Sequence, residues 1–162
     1  MLKFCRVFIL TFVLLVGLFI QQGYCTDRYY WLDSSDTTSF SLDTQTFNVS
    51  RDNNWIYLNV WIEYKYNEAG IEKEISIRKK AELSTAGYEK LSYSLKHFIY
   101  AKNQSRKMYK LTQLIYYDID GNVLDNITLP ASDRYVEAIP GSVGEHIEDK
   151  VFDYYFRYKK LP

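Results

Sequence analysis

The stretch WIYLNVWIEYKY, Trp55 to Tyr66, carries the strongest pattern in the chain. Ile56, Leu58, Val60, Ile62, Tyr64 and Tyr66 alternate with Trp55, Tyr57, Asn59, Trp61, Glu63 and Lys65. A period of two sustained this far specifies a β-strand, because successive side chains leave a pleated backbone on opposite sides. One face is aliphatic and demands a core. The other mixes rings with charge.

Working outward, SFSLDTQTF (residues 39–47) reads as a second strand and RYYWL (28–32) as a short first one, with 33–36 turning between them. After the Ala69-Gly70 break, EISIRKK (74–80) is read as continuing the sheet, and AELSTAGYEKL (81–91) fits one or two helical turns. In YSLKHFIYAK (93–102), Leu95, His97, Ile99 and Ala101 oppose Lys96, Phe98, Tyr100 and Lys102. The polar NQSR then turns the chain into KMYKLTQLIYYDIDGNVLDNI, a hairpin bent at 118–122. DIDGN there resembles a calcium loop only superficially. An EF-hand places its glycine after three alternating ligands and adds a distal glutamate, whereas Asp-Gly-Asn supplies the positive-φ residues of a hairpin.

The C-terminal stretch IPGSVGEHIEDKVFDYYFRYKK changes period. Pro140-Gly141 breaks the preceding strand, Ser142 is a good N-cap, and Glu145 three residues later completes a capping box. At 100° per residue Val143, Ile147, Val151, Tyr154, Tyr155 and Tyr158 form one stripe that should pack on the sheet. Glu145, Asp149, Asp153 and Arg157 face away, and Phe152 and Phe156 fall off the stripe. These elements predict an α+β domain: an antiparallel sheet of about six strands with a C-terminal helix packed on one face.

At the other end, Lys3 and Arg6 precede the apolar run VFILTFVLLVGLFI (7–20), with no acidic residue before Asp27. The run is shorter than the ~20 apolar residues of a spanning helix, and Gly23 and Cys25 follow at cleavage spacing. It reads as a secretory signal over 1–25, leaving 26–162 as a single domain with no transmembrane segment, exported to the periplasm or outer cell surface. Tyr24 is too bulky for the narrow pocket of a lipoprotein peptidase, which argues against lipidation of Cys25. Cys5 lies in the signal, so the mature domain has no cysteine and no disulfide. Its charge is −2, which offers no basic field for nucleic acid. Sequons stand at Asn48, Asn103 and Asn126; they matter only if the source glycosylates exported chains.

An enzyme would need a nucleophile with its base, paired carboxylates or metal ligands; the mature chain supplies only two histidines, His97 and His146, and no cysteine. Although Glu63 with Glu68 or Asp118 with Asp120 could be drawn as acid–base pairs, acidic residues at strand ends and turns are usually solvated. His97 alternates with Leu95 and Ile99, as a packed core or edge histidine would. His146 has no second histidine or cysteine at helical spacing. No metal or cofactor is implied. A small-ligand carrier would need a cavity that the Val143 stripe should plug. Trp55, Tyr57 and Trp61 are the candidate binding surface: one C-terminal helix covers one side of a sheet, and aromatic rings on the other side suit contact with a protein or surface macromolecule, or with a second copy in a homodimer. The competing reading packs these rings beneath 81–91 or the helix.

The order of YYWLDSSD, FSLDTQTF, NVWIEYKY, YYDIDGNVLDN and AIPGSVGEHIEDKVFDYY resembles that of the bacterial surface-adhesin protein E-like domains, small exported proteins of diderm bacteria. The resemblance covers roughly 29–155. It implies an antiparallel sheet of about six strands with the C-terminal helix across one face, binding of host or surface macromolecules for the founding adhesin, and no established activity for most relatives. Unlike the family pattern, this helix lacks a cysteine to tether it, and Tyr135 stands where a tryptophan often precedes the helix.

Overall fold

The computed structural model describes residues 28–130 and 134–159, so the signal read at 1–25 lies outside the described residues. Seven strands form one antiparallel sheet: β1 (Tyr29–Ser34), β2 (Thr38–Asp43), β3 (Asn48–Asp52), β4 (Trp55–Tyr66), β5 (Leu91–Lys102), β6 (Lys107–Asp118) and β7 (Val123–Thr128). Their order is β1-β2-β4-β5-β6-β7. The central strand β4 pairs along one edge with β2 at its C-terminal half and with β3 at its N-terminal half. The strand expected over 39–47 therefore ends at Asp43, and a short, polar strand follows it. That brings the count to seven rather than six.

Two helices complete the domain, α1 (Glu68–Lys80) and α2 (Val143–Tyr154), the latter continuing into a π-helical turn, Tyr155–Lys159. No helix among the described residues is long and apolar enough to cross a membrane.

EISIRKK belongs to α1 and not to the sheet. Asn67 caps the helix by accepting from the Gly70 N–H at 3.0 Å, and Glu68 at the start and Arg78, Lys79 and Lys80 at the end complement its dipole. The apparent alternation of Ile75 and Ile77 misleads. Ile71, Ile75 and Arg78 share a helical face against the sheet, while Ile77 is half exposed.

Both helices lie on the same side of the sheet. Under α2, Ile147, Val151, Phe152, Tyr154 and Tyr155 pack on Leu32, Leu42, Leu58, Val60 and Tyr100. Under α1, Ile71 and Ile75 pack with Tyr66, Leu114, Tyr116, Leu124 and Ile127, joined by Tyr88 and Leu91 from the short 3-10 turn Tyr88–Lys90 and the start of β5. The register makes this one face: Leu58 stands opposite Tyr100, Val60 opposite Phe98, and Phe98 opposite Leu111. The aliphatic set of β4 is thus the floor of the core.

The face of α2 that packs is rotated from the stripe expected in the sequence. Phe152 is buried at 2% exposure and Glu148 at 1%, while Val143 and Tyr158 are exposed. Tyr100 meets Phe152 edge-on at 6.4 Å. A charged residue at position 148 hid that rotation. The cap holds in altered form: Ser142 Oγ accepts from the Glu145 N–H at 3.2 Å, but the Glu145 carboxylate takes the Gly141 N–H at 2.7 Å instead of that of Ser142.

The DIDGN stretch is a hairpin turn. Asp118 accepts from the N–H groups of Asp120 and Asn122 and from the Asn122 side chain, bonds that hold its carboxyl below the usual range, and Gly121 takes φ +83°.

Candidate functional site

With both helices on one face, the opposite face of β4 carries Tyr57, Asn59, Trp61, Glu63 and Lys65, and the register sets Ala101, Ile99, His97, Leu95 and Tyr93 beside them. Beyond, β6 adds Met108, Lys110, Gln113, Ile115 and Tyr117. Neither α1, α2 nor the segment 81–91 lies over this surface, since each packs on the core side. The rings of Trp55, Tyr57 and Trp61 are half-buried by one another and by their neighbours.

These rings form a discontinuous aromatic row. Trp55 lies 6.4 Å from Tyr57, which lies 6.4 Å from Tyr135, and Lys110 reaches over the Tyr135 ring at 4.9 Å. Ala101, opposite Tyr57, is wholly buried beneath them. The segment bearing Tyr135 is held by a two-way backbone pairing of Val136 with Tyr109. Farther along, Trp61 packs on His97 at 4.9 Å and Tyr93 stacks on Tyr117 at 4.7 Å. Tyr117, Tyr135 and His97 were not part of the surface the sequence picked out. Their signal was register, which appears only once the strands are paired.

His97 belongs to this face rather than to the core. A bulge at His97 and Phe98 leaves Thr112 as the extra residue of β6. The Thr112 hydroxyl lies 3.2 Å from the His97 carbonyl and 2.5 Å from Nδ1, where the tautomer of the ring decides which of the two donates. Partial burial lowers the His97 pKa. His146 is exposed on α2, 3.5 Å from Asp33. The two histidines therefore sit on opposite sides of the sheet and cannot act together. Among the described residues no group of three metal-ligating side chains is assembled.

Both helices stand over the covered side. Between them a cleft of about 290 Å³ opens to solvent, floored by Phe40, Tyr64, Tyr66 and Lys96 and walled by α1 and by Val143 at the start of α2. Val143, expected to plug the sheet, stands at its edge with 39% exposure. A broader hollow of about 810 Å³ lies beside β1, where Tyr30, Tyr154 and Tyr158 are in mutual ring contact.

No known protein family, characterised protein or solved structure matches this chain.

Proposed function

We propose that this chain is an exported, non-catalytic binding domain that contacts a protein or surface macromolecule through the open face of its sheet. The supporting observation is the placement of Trp55, Tyr57 and Trp61 on the side that neither helix covers. Tyrosine and tryptophan offer large contact area with few rotatable bonds, and they dominate binding hot spots. The surrounding Asn59, Glu63, Lys65, Lys110 and Gln113 supply the polar margin such contacts use. The order of motifs resembles that of surface-adhesin protein E-like domains, whose founding member binds surface macromolecules, although this helix lacks the cysteine of that pattern.

The test replaces Trp55 and Trp61 together by serine. The variant should keep the wild-type melting point while losing self-association in sedimentation, or losing binding to immobilised surface glycoproteins. A variant that unfolds would show that the rings serve the fold and leave the proposal without residues. N-terminal analysis of the native protein tests export: a start at Thr26 supports a cleaved signal, and a diacylglyceryl group on Cys25 replaces it with a lipid anchor.

A further inference from the structure

Lys96 occupies a place where a lysine is costly. It lies on β5, the middle of the sheet, paired with Ile62 on one side and Leu114 on the other, and its register points it to the covered face among the core residues. Its ammonium rests 4.1 Å above the Tyr64 ring, at the floor of the cleft between the helices. Among the described residues it makes no ion pair. The nearest acid, Glu74, is engaged by the Tyr116 hydroxyl at 2.9 Å and stays beyond pairing distance. Burial lowers the Lys96 pKa, and the charge of Glu74 opposes that fall without cancelling it.

A structural role explains this poorly. Methionine or leucine could fill the space of the Lys96 stem without the partly desolvated charge, and the ring beneath the ammonium compensates only part of the lost hydration. What the surroundings do offer is room and complementary chemistry. Phe40, Tyr64 and Ile77 provide apolar walls, Lys73 adds a second cation at the exposed side so that the lining carries two cations against the one acid Glu74, and Ser35 and Thr38 add polar lining.

We infer that the cleft between α1 and α2 binds a small carboxylate with an apolar, preferably aromatic, body, its carboxylate paired with Lys96 and its body against Phe40, Tyr64 and Ile77. A volume of about 290 Å³ limits the occupant to one ring or a short chain. A carboxylate supplies the missing counter-charge, and a charge-assisted hydrogen bond in a partly dry site is stronger than its neutral equivalent. Inorganic phosphate fits less well: it would bring two charges into a site whose walls are largely apolar, and would leave the rings unused. This site is on the opposite side of the sheet from Trp55 and Trp61, so it stands or falls independently of the binding face proposed above.

Benzoate is the test compound, titrated into the purified native protein by calorimetry and by amide-shift mapping. Wild type should bind one equivalent with a Kd on the order of 0.1–1 mM, reasonable for so few heavy atoms. The shifts should centre on Phe40, Tyr64 and Lys96 and leave Trp55 and Trp61 unmoved. Lys96→Met should weaken binding at least about tenfold, the loss of one charge-assisted contact, with a melting point equal to or above wild type. Ile77→Glu, at an exposed wall residue, should weaken it similarly by repulsion without disturbing the core. The Trp55/Trp61 double serine variant should bind as wild type does. Unchanged affinity in Lys96→Met, equal binding of the neutral isostere benzyl alcohol, competition by phosphate at the same concentration, or no binding by wild type would each overturn the assignment.

Discussion

Gly70 and Thr37 approach so closely that a β-carbon on Gly70 would stand 2.2 Å from the Thr37 carbonyl oxygen. The first turn of α1 is seated on the β1–β2 turn: Asn67 N–H donates to the same Thr37 oxygen at 3.2 Å, and the Asn67 side-chain amide donates to the Asp36 carbonyl at 2.7 Å. Gly70→Ala should therefore destabilise. Alanine favours a helix interior by about 1 kcal/mol over glycine, but the clash is with backbone and forces a shift costing about 1–3 kcal/mol. Urea unfolding decides the sign, and a stabilised variant would mean that α1 does not lie so close to the turn.

The seating of α2 is tested from its core and from its cap. Ile147 is 3% exposed, so Ile147→Ala should cost about 2–5 kcal/mol. Ser142→Ala removes the acceptor of the Glu145 N–H and should cost about 0.5–2 kcal/mol. Because the Glu145 carboxylate bonds Gly141 and not Ser142, the two halves of the cap are separable, and Glu145→Gln should change the urea midpoint little in the Ser142→Ala background beyond its own effect.

Legibility followed how cleanly each segment expressed a single period. The strand Trp55–Tyr66 could be read to its ends because its two faces differ in chemistry at every step. β3 could not: NVSRD is short, polar and mostly exposed, and its hairpin rests on Asn53 at φ +50°, a turn signal inside what looked like a loop. α1 was misread because Ile75 and Ile77 imitate a strand, while the residue completing its buried helical face is Arg78. The same blindness applies at the sites. Lys96 points to the covered face and Glu148 is buried, both with charged side chains, and a hydrophobic pattern is silent about such residues. The aromatic row was legible on β4 alone; its partners on β5 and β6 needed the register and the bulge at His97.

Arg78 explains why α1 tolerates so few apolar residues. Its guanidinium is buried, 4.2 Å above the Tyr88 ring and 5.8 Å from that of Tyr116, donating to the Ser84 carbonyl and to Asp125, each at 2.7 Å. Arg78→Met should cost roughly 3 kcal/mol, since it strips partners from Asp125 and from a loop carbonyl. Arg78→Lys should recover little of this, because one ammonium cannot span both acceptors and lie flat on the rings. Equal urea midpoints for Arg78→Lys and wild type would show that charge alone is needed.

Glu148 gives the fold a pH dependence of unusual sign. Its side chain is buried under α2, and among the described residues Oε1 has no hydrogen-bond partner. Desolvation raises its pKa to about 7; Lys107 and Lys102 from the sheet oppose the rise, and Asp149 and Glu145 on its own helix add to it. Lys107 is itself bonded to Asp149, which limits its help. A carboxyl with a folded pKa above its unfolded value makes the native state hold the proton more tightly. The protonated form therefore stabilises fully below the ordinary glutamate range near 4.5, and that contribution is lost as pH rises from there toward about 7. His97 acts the other way: with its pKa lowered by burial, it removes stability as pH falls below the ordinary histidine value of 6.5. The two overlap, so the wild-type curve alone cannot separate them, but a difference curve can. Glu148→Gln should be close to wild type at pH 4 and more stable by about 2–4 kcal/mol at pH 8, the free-energy equivalent of a shift from 4.5 to about 7. The gap should open between pH 5 and about 7 in urea unfolding followed at several pH values. A gap that is constant across this range would mean that Glu148 is already ionised and solvated in the native state, and that α2 sits less tightly on the sheet than its burial indicates.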